Sequence, residues 1–211
     1  MTLSQTIREI TREHVLLNNG VILGQCLTAV GWVSGTVPEL TEEQGIIELS
    51  MADIAGAGIA VGIALMGRRP IYVIRYQGFM WYNCSPLLNY AAKSKEVWNT
   101  PCPMLIRSIA MEGGIGPGST GCHHSMVMHM PGMPVIAPMT SNEWKEGYDW
   151  FMNHDDPLYV SEHRRGFSID YEMSNIVVPG ADITILAISA SRFSAIEAVN
   201  TLAARGITCN L

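Results

Sequence analysis

A chain of 211 residues, 48% hydrophobic and 15% charged, has apolar material for one full core and part of a second, which excludes intrinsic disorder. Its net charge of -6 is spread without a basic patch or a long run of like charge, so a nucleic-acid backbone is a poor partner. Five widely spaced cysteines, Cys26, Cys84, Cys102, Cys122 and Cys209, form no CxxC pair and point to a reducing cytoplasm rather than a disulfide framework or a zinc knuckle.

In chain order, Ile7, Ile10 and Val15 predict an amphipathic first helix, without the apolar stretch of a secretory signal. A strand follows near Val21-Leu23 and another at Ile46-Leu49. Ala52-Met66 has helical length, with Asp53 as a plausible cap and Gly67 as its stop. The run from Ile54 to Met66 is too short to cross a bilayer, and no membrane segment is expected. Ile71-Ile74 reads as a buried strand, Leu87-Val97 as a helix, Met104-Ile109 as a strand, and Gly113 to Gly121 as a long loop. A short strand at Val135-Ala137, a helix over Asn142-Asn153 capped by Ser141, and a strand at Leu158-Val160 close the series.

Strands alternating with crossover helices predict a doubly wound α/β domain over residues 1–175, a mainly parallel sheet with helices on both faces. Phe167 to Gly180 reads as a linker. Beyond it, a strand at Ile183-Ile188, a helix from Arg192 to Ala204 and a further strand from Ile207 predict the beginning of a second α/β domain over residues 181–211, apparently cut short.

Several motifs have a functional reading beside a plainer one. Gly116 to Gly121 satisfies GxGxxG, but Pro131 prevents a long following helix and no acidic residue ends the next strand, so a dinucleotide site is not expected. Gly56, Gly58 and Gly62 each cost a helix about 1 kcal/mol relative to alanine, which close packing on a sheet or a tight subunit contact would explain. Cys122-His123-His124 lacks metal-ligand spacing, yet histidines ending a glycine loop are placed to reach a reacting group. Asp53 is ordinarily a helix cap, Phe79, Trp81 and Tyr82 core or interface aromatics, and Glu162 a salt-bridged loop carboxylate.

In order and spacing, ELSMADIAGAGIAVGIALMGRRPI, RYQGFMWYNCSPLLNYAAK, PMLIRSIAMEGGIGPGSTGCHHS and MPGMPVIAPMTSNEWKEGYDWFMNHDDPLYVSE resemble the β-subunit of the first component of 2-oxo acid dehydrogenase complexes, with its transketolase-like pyrimidine-binding domain. The resemblance implies an oligomeric oxidoreductase component that grips the aminopyrimidine of thiamine diphosphate. An α-type partner subunit would hold the diphosphate and magnesium, and a lipoyl-bearing acyltransferase would take the acyl group. Self-association through the β-type subunit is implied as well.

The same resemblance places the activating carboxylate on Asp53, where the family carries glutamate, the apolar lining on Met51, the stacking aromatic on Phe79 and the active-site histidine on His124. Aspartate is shorter by one methylene, about 1.5 Å. Gln25-Cys26 stands in place of an acidic pair, and His154 in place of an aspartate that helps hold a monovalent cation in some members, so no metal site is assigned to this chain. A transketolase-like or deoxyxylulose-phosphate-synthase-like ketol transferase, and a non-catalytic scaffold, remain as alternatives on the same domain.

Overall fold

The computed structural model describes residues 1–211. Six strands form one sheet in the order β2-β1-β3-β4-β6-β5, and every neighbouring pair in it is parallel. They are β1 (Val21–Gln25), β2 (Ile46–Leu49), β3 (Pro70–Ile74), β4 (Leu105–Ala110), β5 (Val135–Ile136) and β6 (Leu158–His163). Strands β1, β3, β4 and β6 are buried along their whole length, which is why they read as continuous apolar runs rather than alternating ones.

Alternation along each strand divides the core in two. Ile22, Ile71, Val73, Leu105 and Val160 pack with helices α1 (Leu3–Leu17) and α7 (Ser141–Asn153) on one face. Leu23, Tyr72, Ile74, Ile106 and Tyr159 pack with α3 (Asp53–Leu65) and the segment around Leu87 on the other. This is the doubly wound arrangement expected from the sequence. The chain adds β2 on one side of β1 and β3 on the other, and such a reversal opens a crevice at the carboxyl ends of the strands.

Local expectations are corrected at several points. Asp53 is not the cap of α3: the cap position is Ala52, Asp53 is the first helical residue, and no side chain of the cap residue bonds the helix end. Ser141 likewise begins α7 after Thr140, and its hydroxyl pairs with that of Thr6 at 2.9 Å. The single helix expected over Leu87-Val97 is two pieces, a π turn (Leu87–Ala91) and α5 (Ser94–Trp98), and it runs on directly from a helix not expected there, α4 (Met80–Pro86). Pro86 cannot donate a helical hydrogen bond, and a wider turn follows it. Asn99, at φ 49°, ends α5 in the left-handed conformation. Strand β6 extends to His163, so Glu162 lies inside a buried strand rather than on a loop.

A segment that sequence periodicity does not anticipate is α2 (Ala29–Gly35), in which Val30 to Ser34 all have φ between 51° and 62°. Left-handed helical backbone costs L residues roughly 1–2 kcal/mol each. Packing offsets it, with Val33 fully buried and Thr36 tied to Arg107.

The C-terminal strand is also shorter than expected, because it has one neighbour for two residues only. β7 (Ile183–Thr184) pairs with β8 (Cys209–Asn210), and Leu186 is 92% exposed. Helix α8 (Ser191–Ala203) sets Phe193 and Ile196 against Met139, Ile169 and Met173 of the preceding unit. Arg192 bonds Glu143 at 2.6 Å, and Arg165 lies 4.4 Å over the Phe193 ring.

The three glycines of α3 serve different ends. A Cβ on Gly56 would lie 3.0 Å from the Tyr72 hydroxyl and 3.1 Å from Leu49, so close packing on the sheet requires glycine there. Gly58 and Gly62 have no atom within 4 Å of that position. Beside them Ile54, Ile59, Leu65 and Met66 are exposed, a bare apolar face of the kind subunit contacts cover. The purified chain is therefore expected to be a dimer or larger assembly, and light scattering showing only monomer at micromolar concentration would contradict a self-contact there.

Candidate active site

The carboxyl ends of β1, β2 and β3 bring Gln25, Asp53 and Phe79 into one region. With its amide oxygen turned toward α3, Gln25 accepts from the backbone N–H groups of Ala52 and Asp53, each at 3.2 Å. It thus satisfies donors at the helix start that the cap residue leaves free, and it fixes the backbone of Asp53. The Asp53 side chain, partly buried, accepts a hydrogen bond at Oδ1 from Asn83 Nδ2 at 3.0 Å. Asn83 Nδ2 also donates to the Phe79 carbonyl at 2.9 Å, and Asn83 Oδ1 accepts from the Tyr72 hydroxyl at 2.6 Å.

Phe79 ends a 3-10 turn (Gln77–Phe79) immediately after β3. Its ring is half-buried, against the second core cluster and 6.1 Å from the Tyr76 ring. The glycine loop approaches from the other side: a Cβ on Gly78 would meet the Gly118 carbonyl oxygen at 2.3 Å. Met51, between β2 and α3, is 75% exposed. It shares the Asp53 loop without joining the hydrogen-bonded group.

His124 opens a short helix, α6 (His124–Val127), after that loop. Gln77 Nε2 donates to Ser161 Oγ at 2.7 Å, and Ser161 Oγ lies 3.2 Å from His124 Nδ1. The Cys122 thiol lies 3.0 Å from the same nitrogen. The Ser161 hydroxyl, which accepts from Gln77, and the Cys122 thiol thus both face Nδ1, while Nε2 has no protein partner. Burial pushes the His124 pKa below its ordinary value, which keeps the imidazole neutral at pH 7. Burial likewise pushes the Cys122 thiol up, with Glu112 adding to the effect, so the thiol stays protonated rather than forming a thiolate. Gln77 Oε1 accepts from the His123 amide at 2.6 Å, joining the histidine loop to the turn that carries Phe79.

The structure thus connects Asp53 to Phe79 through Asn83, and His124 to the Phe79 turn through Ser161 and Gln77. Asn83, Tyr72, Gln77 and Ser161 were not singled out from sequence, and Gln25 was noted only as part of a pair standing in place of an acidic one. For two of them a signal exists in retrospect. Tyr72 sits in a buried strand where its hydroxyl needs a partner, and Asn83 stands four residues after Phe79, one helical turn on.

Glu162 belongs to a separate buried network. Both its oxygens accept from Arg107, at 2.8 and 2.9 Å, and the Trp144 indole donates to it at 2.9 Å. Arg107 also donates to the Thr36 hydroxyl at 2.8 Å.

Asp53 and Phe79 thus stand together at the carboxyl edge of a parallel α/β sheet, the place where folds of this kind hold their ligands. Residues 3–168 match the transketolase pyrimidine-binding domain, and the chain belongs to that family.

Among curated relatives, the β subunit of acetoin:2,6-dichlorophenolindophenol oxidoreductase of Cupriavidus necator is 27% identical over 202 residues, 87% of this chain and 59% of the relative. The 2-oxoisovalerate dehydrogenase β subunit of Bacillus subtilis is 25% identical over 90% of this chain and 64% of its own length. The mitochondrial pyruvate dehydrogenase E1 β subunit of Rattus norvegicus is 25% identical over 80% and 52%. The chain spans between half and two thirds of the length of these relatives.

Among solved structures, a split-gene transketolase described as an inactive β4 tetramer superposes with a TM-score of 0.72 at 18% identity, covering 99% of this chain and 68% of that one. A Pichia stipitis transketolase in complex with sedoheptulose 7-phosphate gives 0.81 at 16% identity, covering 100% and 34%. At these identities the likeness shows the fold. No helix is long and apolar enough to cross a membrane.

Proposed function

We propose that this chain is the β-type subunit of a thiamine-diphosphate-dependent 2-oxo acid dehydrogenase component, and that it binds the aminopyrimidine half of the cofactor. The observation that carries the reading is the Asp53 carboxylate, held by Asn83 beside Phe79 at the carboxyl edge of the sheet. The bound cofactor would supply the electron sink for decarboxylation. Asp53 would accept the hydrogen bond of a pyrimidine ring nitrogen through Oδ2, which has no protein partner. Phe79 would stack on the ring and exclude water from one side, and Met51 would cover its edge.

His124 Nε2 has no protein partner, and as an N–H it would be suited to stabilising negative charge on a substrate oxygen or to assisting transfer of an acyl group to a lipoyl arm. The residues present fit the pyrimidine half of the cofactor; diphosphate and magnesium would be held by the α-type partner. In this reading residues 1–175 are the pyrimidine-binding domain, residues 181–211 belong to a second α/β domain of transketolase C-terminal type, and the assembly works in the cytoplasm.

The test is to purify the chain with its natural partner and assay 2-oxo acid decarboxylation with an artificial electron acceptor, beside ketol transfer between sugar phosphates. The proposal expects thiamine-diphosphate-dependent 2-oxo acid oxidation by the assembly and none by the isolated chain. Turnover of 2-oxo acids by the chain alone would overturn the shared site, and ketol transfer without 2-oxo acid oxidation would overturn the reaction class.

A further inference from the structure

The Asp53 carboxylate is held by an amide whose orientation chemistry fixes. Asn83 is fully buried, as is Tyr72. The Phe79 carbonyl and the Asp53 carboxylate can only accept, so the Asn83 NH2 must face both, and its oxygen must face Tyr72. Tyr72 is then obliged to donate. Burial, with the charge of Asp53 adding to it, pushes the Tyr72 pKa well above its ordinary value, so the phenol keeps its proton throughout any working range.

We propose that Asn83 is a positioning residue for the pyrimidine site. By holding Oδ1 of Asp53 and the backbone carbonyl of Phe79 with one NH2 group, it sets the carboxylate against the aromatic plate and leaves Oδ2 as the oxygen that meets the ring. This deepens the proposed function and rests on it. It also bears on the aspartate that stands where the resemblance implies a glutamate: a shorter side chain reaches its target only in a narrow range of torsions, and a buried, directionally fixed donor narrows that range further. The chain Tyr72 to Asn83 to Asp53 spans β3, α4 and α3, so the carboxylate is set by three elements of the fold rather than by its own rotamer.

The test uses the complex with the diphosphate-binding partner, saturated with thiamine diphosphate. The hydrogen–deuterium exchange rate at C2 of the bound cofactor is followed by acid quench and NMR, with cofactor Kd measured separately. Asn83→Leu should slow exchange about tenfold or more, the scale of a lost hydrogen bond to a charged group, with Kd little changed.

Tyr72→Phe, which keeps the ring and removes only the O–H, should slow exchange by a smaller amount, again with Kd little changed, and it serves if Asn83→Leu fails to fold. Asp53→Ala is the reference. If it abolishes exchange while Asn83→Leu, or Tyr72→Phe in its place, keeps the wild-type rate, the role of Asn83 is overturned and the proposed function stands. If Asp53→Ala leaves exchange unchanged, both fall.

Discussion

Replacing Asp53 by alanine should abolish turnover in the assembled enzyme while costing the fold little. The side chain caps no helix end and makes one hydrogen bond, with Asn83. Its stabilising part is that of an acidic residue in a first helical turn, about 1 kcal/mol or less. Loss of the hydrogen bond to the pyrimidine would remove the group that activates the cofactor, so kcat should fall to background with a thermal transition near that of the wild type. Asp53→Glu restores about 1.5 Å of reach and should preserve turnover or raise it. Steady-state kinetics on both variants check the pair of outcomes, and an active Asp53→Ala enzyme would return Asp53 to a helix-terminus role.

The largest effect on stability is expected at Glu162. Arg107 is 0% and Glu162 1% exposed, and the two exchange a bidentate pair of hydrogen bonds. Removing the carboxylate with Glu162→Ala leaves a guanidinium buried with only Thr36 to face it, a loss of about 3–5 kcal/mol. For a chain of this size that is a fall in Tm on the order of 10 °C. Arg107→Met combined with Glu162→Leu should recover most of the loss, because the cost lies in the stranded charge rather than in the missing attraction. Thermal or urea unfolding of the single and double variants checks this, and a single variant as stable as the wild type would show that the pair is not what holds β4 to β6.

The sheet was legible because the chain's buried strands are short apolar runs spaced by crossover helices; Ile71–Ile74 and Leu105–Ala110 could hardly be anything else. Helix ends were less so. Asp53 and Ser141 are residue types that cap helices, yet the helix start at Asp53 is satisfied by Gln25, some 28 positions earlier in the chain, a partnership no local window contains. The expected strand over Ile183-Ile188 shortened to Ile183–Thr184 for a similar reason, since a strand exists only where a neighbour pairs with it. The left-handed turn at Val30 to Ser34 was invisible because three of its four non-glycine members, Val30, Trp32 and Val33, are residue types that ordinarily avoid positive φ.

Of the candidate site, Asp53, Phe79 and His124 were named through resemblance rather than through periodicity; Asn83 ties the first two together, and His124 reaches the Phe79 turn through Ser161 and Gln77. Met51, named on the same ground, stands outside it. What the sequence hid was the uncharged second layer. Asparagine, glutamine, serine and tyrosine are common enough that none stands out in a linear reading. Their orientation duties appear only when β3, α4 and β6 come together.

The close approach at Gly78 also sets how this region can drift in sequence. With the Gly118 carbonyl 2.3 Å from where a Cβ would sit, no larger residue fits at position 78 unless the loop backs away, and the loop is the segment that delivers His124. Position 118 carries no matching restriction, because nothing lies within 4 Å of its own Cβ direction. Substitutions should therefore accumulate unevenly across a single contact: freely on the loop side, and scarcely at all on the turn that carries Phe79.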